Sequence, residues 1–282
     1  MTLDDFQLST PDSLADALAE LATHPAARPF AGGTDLMVVL DAGHLPAGRY
    51  VSLSNCRELG GIEATSEGVS VGALTTYTEI RRSAVLEDYP LLAIAAAETG
   101  GVATQNRGTI GGNIANASPA ADTPPALLVY DAELELQSAA GARRVPYVSF
   151  HRGYKQMDLR PGEIVARVHL PRRESGWRDY YRKVGTRRAQ AISKVCLAGA
   201  IRMEGARVGD IRIALGSVAP VPFRALRAED ALRGQTHDPA SSGRAVDALA
   251  AEIAPIDDIR SNARYRTRVA GNLLREFLTG HY

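Results

Sequence analysis

Leu14, Ala17, Leu18 and Leu21 recur at the three- and four-residue spacing of one helical face, and Thr10 followed by Pro11 supplies an N-cap and a first residue for the helix they predict. Arg28-Pro29-Phe30-Ala31 then leads through the turn Gly32-Gly33-Thr34-Asp35 into a short apolar segment, Leu36 to Leu40, which reads as strand, turn and short helix. Between Tyr50 and Leu74 the pattern shortens to strands, with a hairpin turn at Ser66-Glu67-Gly68. Thr76 and Glu79 form a capping box that starts the next helix, and Pro90 opens another through Leu91 and Leu92.

The segment from Arg107 to Asp122 has few charges, many small residues and adjacent glycines, and it reads as a loop. Beyond it, Glu133 to Gln137 and Arg144 to Val148 flank a turn at Gly141. Ile164, Ala166, Val168 and Leu170 alternate as a half-buried strand does, ending at Pro171. The polar run from Arg172 to Trp177 predicts the main boundary near residue 175, dividing the chain into 1–174 and 175–282. Strands are predicted near 180–184, 195–203 and 211–218, then helices, clearest where Tyr265, Val269, Leu273 and Phe277 repeat every fourth residue. Strands followed by helices in blocks indicate an α+β fold.

Composition narrows the function. A chain of 282 residues exceeds what one core usually supports. Its 45% apolar and 23% charged residues fit a globular protein rather than a disordered one. The 32 basic side chains balance the 32 acidic ones, and no basic run is interleaved with aromatics, so nucleic acid is a poor partner. Apolar stretches such as Leu36 to Leu40 and Val195 to Ile201 are too short to span a bilayer, and the acidic start lacks a signal peptide's order of charges, which predicts a cytoplasmic chain. The two cysteines, Cys56 and Cys196, and the six scattered histidines offer no spacing for a metal or an iron–sulfur cluster.

The chemistry concentrates in two glycine-bearing segments, Ala31-Gly32-Gly33-Thr34-Asp35-Leu36 and Thr109-Ile110-Gly111-Gly112-Asn113. Glycine lets the main chain approach an anion and adopt positive φ, while consecutive amides in a nest or at a helix N-terminus supply donors, as a pyrophosphate requires. The hydroxyls of Thr34 and Thr109 and the amide of Asn113 add further donors. Each pair taken singly is equally a tight turn. Neither the dinucleotide fingerprint with three spaced glycines nor the P-loop is present.

These two segments, the second continuing through Ser118 to Asp122, resemble the FAD-binding subunit of the xanthine dehydrogenase and carbon monoxide dehydrogenase family, and residues 175–282 resemble that family's C-terminal flavoprotein domain. The resemblance implies a FAD-binding fold of the vanillyl-alcohol oxidase type, with subdomains of about 1–56 and 57–174, followed by an antiparallel sheet with a helix bundle. It also implies that residues 31–36 and 109–113 hold the FAD pyrophosphate and that Ser118 and Asp122 contribute polar contacts. Ile164 and Val165 would pack near the adenosine or the ring, with Lys183 near the flavin and Ile192 over it. Read without the family, Asp122 is equally a helix cap, Ser118 a turn residue, Lys183 a solvated strand residue and Ile192 the first core residue of a strand.

By the same resemblance the chain is an oxidoreductase subunit with no catalytic acid, base or nucleophile of its own. Electrons would arrive from [2Fe–2S] clusters in a small partner after hydroxylation at a molybdenum cofactor in a large one. The flavin would be non-covalent, because residues 31–36 and 109–122 contain no histidine or cysteine. Aliphatic Ile192 favours the xanthine dehydrogenase branch over carbon monoxide dehydrogenase-like members, which tend to carry tyrosine there. Arg187 and Arg188 beside it suggest NAD as the electron acceptor. The alternatives are a carbon monoxide or aldehyde dehydrogenase subunit, a stand-alone flavin oxidase of a small alcohol or sugar, and a flavin-binding module without electron transfer.

Overall fold

The computed structural model describes residues 5–187 and 189–280. The chain begins with β1 (Phe6–Ser9), α1 (Leu14–Thr23), β2 (Arg28–Phe30), α2 (Leu36–Asp41) and β3 (Gly48–Ser52), whose strands form a parallel sheet in the order β1-β3-β2. The face of α1 that carries Leu14, Ala17, Leu18 and Leu21 is buried against Val51, Leu53 and Leu59. Its cap is Ser13, not Thr10: the Ser13 hydroxyl accepts from the Asp16 amide, because pairing of β1 with β3 holds the preceding backbone extended.

The middle of the chain contributes β4 (Ile62–Thr65), β5 (Gly68–Gly72), α3 (Tyr77–Arg82), α4 (Pro90–Glu98), α5 (Val102–Gln105), α6 (Ile110–Asn116) and α7 (Pro124–Val129). It closes with β6 (Glu133–Ser138), β7 (Gly141–Pro146), β8 (His151–Gly153), β9 (Gln156–Met157) and β10 (Ile164–Pro171). An antiparallel sheet runs β4-β5-β10-β6-β7, and the capping box of α3 forms as its sequence predicts. The strand alternation is broken once. A register shift between Val165 and Arg167 puts Ile164 and Ala166 in the core under α1, whereas Val165, Val168 and Leu170 face the core built with α3, α4 and α7. The expected single face is therefore two faces, and β10 joins both cores.

The final third forms β11 (Trp177–Val184), β12 (Val195–Glu204), β13 (Arg207–Gly216), β14 (Phe223–Arg224), α8 (Leu226–Asp230), α9 (Pro239–Glu252) and α10 (Ala263–Thr279), with an antiparallel sheet ordered β11-β12-β13-β14. Its central strand is buried on both sides: Leu197 and Ile201 join the core of α9 and α10, while Ala198 and Ala200 join that of the middle segment. Small residues suit the second face, since α7 lies on it. The predicted stripe on α10 is shifted: Tyr265 is exposed, and Arg266, Ala270, Leu274 and Leu278 take the inward face with Leu273 and Phe277.

The C-terminal sheet grips the end of α7 through charge. Arg224 donates to the Leu128 carbonyl and to Asp131, each at 2.7 Å, and pairs with Glu229, whose side chain is essentially inaccessible to solvent. Arg224→Met should leave that buried carboxylate with only the longer contact to Arg233 at 3.4 Å and lower stability by about 3 kcal/mol, read as a fall in the urea midpoint. Adding Glu229→Met should restore only part of the loss, because the buried Ile213 amide then lacks its acceptor. A single variant with an unchanged midpoint would remove the bonds from Arg224 to Leu128 and Asp131 from the forces that hold the two parts together.

Candidate functional site

Both glycine segments open on one cleft of about 490 Å³. Of the residues expected at a cofactor, Ala31, Gly32, Gly33, Thr34, Asp35, Leu36, Thr109, Gly111, Gly112, Asn113, Ile164 and Val165 line it. The four glycines of the pairs serve different ends. A Cβ on Gly32 would stand 1.8 Å from the Arg107 carbonyl oxygen, and one on Gly111 would stand 2.5 Å from the Ala73 Cβ, so both are needed for backbone contact within the protein. Gly33 takes φ 75° beneath the Phe30 ring. Only Gly112 turns its bare side towards open space, where a Cβ would meet the Thr109 hydroxyl at 2.9 Å and little else.

The segment from Arg107 to Asp122, expected as a loop, contains α6 with Thr109 as its N-cap. Tertiary acceptors make the helix possible: the amides of Ile110, Gly111 and Gly112 donate to the Thr75 carbonyl, the Ala73 carbonyl and the Thr109 hydroxyl. The helix amides are thus already satisfied, and Ile110, fully buried, is a core residue rather than part of the cleft wall. The first segment differs. Among the described residues no protein acceptor takes the amides of Gly32, Gly33, Thr34 or Asp35, which makes this turn the donor-rich side of the cleft. Asn113 accepts from Thr123 through Oδ1 at 2.6 Å, leaving its Nδ2 group for another partner.

Asp122 and Lys183 form a second, buried polar site that is not part of the cleft lining. Lys183 Nζ donates to Asp122 Oδ2 at 2.7 Å and to the Glu98 carbonyl at 2.8 Å, and the Tyr181 hydroxyl donates to the Asp122 carbonyl at 2.9 Å. Neither alternative reading of these side chains holds: Asp122 does not cap α7, whose N-cap is Thr123 without a side-chain bond, and Lys183 is buried. Asp122 Oδ1 is buried and has no hydrogen-bond partner among the described residues. Burial pushes this carboxyl up to about 6 against the pull of Lys183. Behind the pair, Cys196 faces Lys183 across β11 and β12, fully buried, and burial pushes its thiol up to about 12. Asp122 also raises the phenol of Tyr77, after burial its largest influence, and Tyr77 is a wall residue of the cleft.

Ser118 accepts from the Ala120 amide as a turn residue does, in a loop tied to the C-terminal sheet where Ser217 donates to the Pro119 carbonyl. Ile192 is 52% exposed and precedes the strand, which starts at Val195, so it is not the core residue that its neighbours suggest. Arg187 folds back onto the Ala189 and Gln190 carbonyls and closes its own loop, and Arg188 lies outside the described residues. Tyr77, Met157, Leu159 and Glu163 line the cleft without having been singled out in the sequence; no local motif marks them.

The comparisons agree on one family. A model described as the FAD binding domain in molybdopterin dehydrogenase matches residues 4–173, and one described as the CO dehydrogenase flavoprotein C-terminal domain matches residues 180–280. The glyceraldehyde dehydrogenase medium chain of Sulfolobus acidocaldarius is 32% identical, over 94% of this chain and 94% of its own length. The xanthine dehydrogenase FAD-binding subunit of Escherichia coli is 30% identical, over 95% of this chain and 92% of its own. A solved carbon monoxide dehydrogenase from Hydrogenophaga pseudoflava superposes with a TM-score of 0.93 at 30% identity, covering 97% of this chain and 96% of that chain.

Because the folded state holds the Asp122 proton more tightly than an unfolded chain does, this carboxyl should protonate before the other aspartates on acidification. It should do so near pH 6, while ordinary aspartates wait until about pH 4. Its contribution to stability then increases as the pH falls through that window. Carbon-13 NMR of labelled aspartates should show one resonance titrating near pH 6 that is missing in Asp122→Asn. If every aspartate titrates in the ordinary range, the carboxyl is hydrated and the site is more open than it looks.

Proposed function

Since the chain belongs to the family of FAD-binding medium subunits of xanthine and carbon monoxide dehydrogenases, we propose that it relays electrons from an iron–sulfur partner to NAD within a purine-type molybdenum hydroxylase. At the coarser level it is the FAD-binding subunit of an oxidoreductase complex, with the molybdenum and iron–sulfur centres in its partners. The observation that carries the site assignment is the open set of amides from Gly32 to Asp35 at the edge of a cleft that continues into apolar walls.

The residues present fit FAD. The turn amides and the Asn113 Nδ2 group suit a pyrophosphate and Gly112 leaves room for it, while Asp122 acts on the cleft only through its electrostatic influence on the wall residue Tyr77. When bound, FAD exchanges electrons singly or in pairs and so joins one-electron clusters to a two-electron acceptor. The chain's own part is to bind, orient and exclude water: the first segment holds the phosphates, Ile164 and Val165 pack the apolar portion, and Lys183 fixes Asp122 behind the cleft wall. Residues 1–174 would carry the cofactor, and residues from about 175 onward would present Lys183 and Ile192 to it. Aliphatic Ile192 supports the purine branch, and the basic loop beside it supports NAD.

Gly112→Val should keep most of its stability, losing the Thr109 cap at a cost of about 1 kcal/mol, while its branched side chain enters the cleft beside Ala31. Absorbance of the purified variant should show no retained flavin. A variant that stays yellow with full FAD content would move the pyrophosphate elsewhere.

For the relay itself, the isolated chain loaded with FAD should contain no iron or molybdenum, and purines should leave it coloured. Adding the partner subunits should allow purines to bleach it and, with NAD present, to generate NADH. Bleaching by the chain alone would indicate a self-contained oxidase. A reconstituted complex that bleaches without ever reducing NAD would refute the acceptor and leave the FAD site standing.

A further inference from the structure

The cleft has a wall that the glycine segments do not supply. Residues 150–163 pass from the β8–β9 hairpin to the start of β10, and Met157, Leu159 and Glu163 line the cleft beside Ile164 and Val165. Met157 and Leu159 are half-buried, packed on the core and open to the cleft. This wall is fastened at both ends. At the hairpin, His151 Nε2 lies 2.9 Å from the Ile114 carbonyl and Lys155 donates to the Asn116 carbonyl and, at 2.7 Å, to its Oδ1, so the hairpin holds the C-terminal end of α6.

At the other end stands Arg143 of β7. Its Nε and Nη2 form a fork on Glu163 at 2.7 and 2.8 Å, and it reaches the Asp158 carboxylate at 3.2 Å and the Asp158 carbonyl at 2.7 Å. Glu163 also accepts from the Arg160 amide at 2.7 Å, and its side chain is only 6% exposed. One planar guanidinium therefore closes the whole turn from Asp158 to Glu163. A lysine, with a single ammonium, cannot hold three acceptor groups in these directions. Hydrogen bonds from Arg143 keep both carboxyls below the usual range, so the fork persists at neutral pH.

The pyrophosphate donors lie on the Gly32–Asp35 turn and the polar Asp122–Lys183 pair lies against the C-terminal sheet, which leaves the apolar wall for the other end of an elongated ligand. We propose that Arg143 is a positioning residue for the adenylate half of the cofactor: it holds the 158–163 turn so that Met157 and Leu159 wall the adenine, and it thereby makes the site prefer a dinucleotide to a mononucleotide flavin. This rests on the FAD assignment above. Arg143 touches no cofactor atom in this scheme; it acts through the wall.

The test uses the full chain stripped of flavin, titrated calorimetrically with FAD, FMN and ADP, in wild type, Arg143→Met, Arg143→Lys and Leu159→Asp. Losing the charged fork should weaken FAD and ADP about tenfold or more and leave FMN unchanged, with Arg143→Lys in between. Leu159→Asp, at a half-buried position packed on the core, should lower the melting temperature by a few degrees, stay folded and show the same selective loss. If FMN weakens in step with FAD, Arg143 is only structural and the proposal fails. It fails equally if the variants bind FAD and ADP as wild type does. A wild-type chain that binds none of the three ligands would overturn the FAD assignment itself and this proposal with it.

Discussion

The cleft exists because two stretches of backbone meet without a side chain between them. Gly32 lies so close to Arg107 that a single added carbon would overlap its carbonyl oxygen, and Gly111 is seated just as tightly on Ala73. The first contact brings the turn after β2 against the approach to α6, and the second seats α6 on the residue that follows β5, although these stretches lie far apart in sequence. Once they are made, the rest follows locally: the α6 amides find acceptors on Ala73, Thr75 and Thr109, and the turn amides are left over. Anion-binding capacity is then a by-product of which side of the contact is satisfied by the protein and which is not.

The C-terminal sheet is more than an appendage to this cleft. Its strand β12 buries alanines against α7 and branched residues against α10, so the two parts share a continuous interior. The loop that leaves α6 is tied to this sheet by Ser217, Tyr181 and Lys183. A carboxylate contributed by one part is thus oriented by a cation and a phenol contributed by the other. Any shift of the sheet would be felt first at Asp122, where one oxygen is held and the other is free.

Much of this was legible in the sequence, and the failures have physical causes. The two glycine segments stand out as bare backbone in the sequence, but each alone is equally a turn, and the family resemblance ties them to one cofactor. Their internal division of labour was not legible, since it depends on Arg107 and Ala73, which no local pattern connects to them. The helix α6 was hidden because two glycines and small residues lower its intrinsic propensity, and tertiary acceptors reverse that deficit. The bulge at Ala166 defeats a strict period of two. Asp122 and Lys183 were found through family resemblance, since each alone has a commoner use. Arg143 and the 150–163 wall carry no motif; three acceptor groups converge on one guanidinium only after β7 and the approach to β10 have come together.

Cys196 lies directly across the sheet from Lys183, and Cys56 is likewise sealed in the first core. Burial raises both thiols, so neither sulfur presents the thiolate that electrophiles and peroxides attack. A chain of this family handles electrons for its living, and oxidants are a natural hazard of that trade. Here the hazard meets no thiolate at the surface. Thiol-directed alkylating reagents should be silent towards the folded chain, which makes thiol reactivity a direct report of its unfolding.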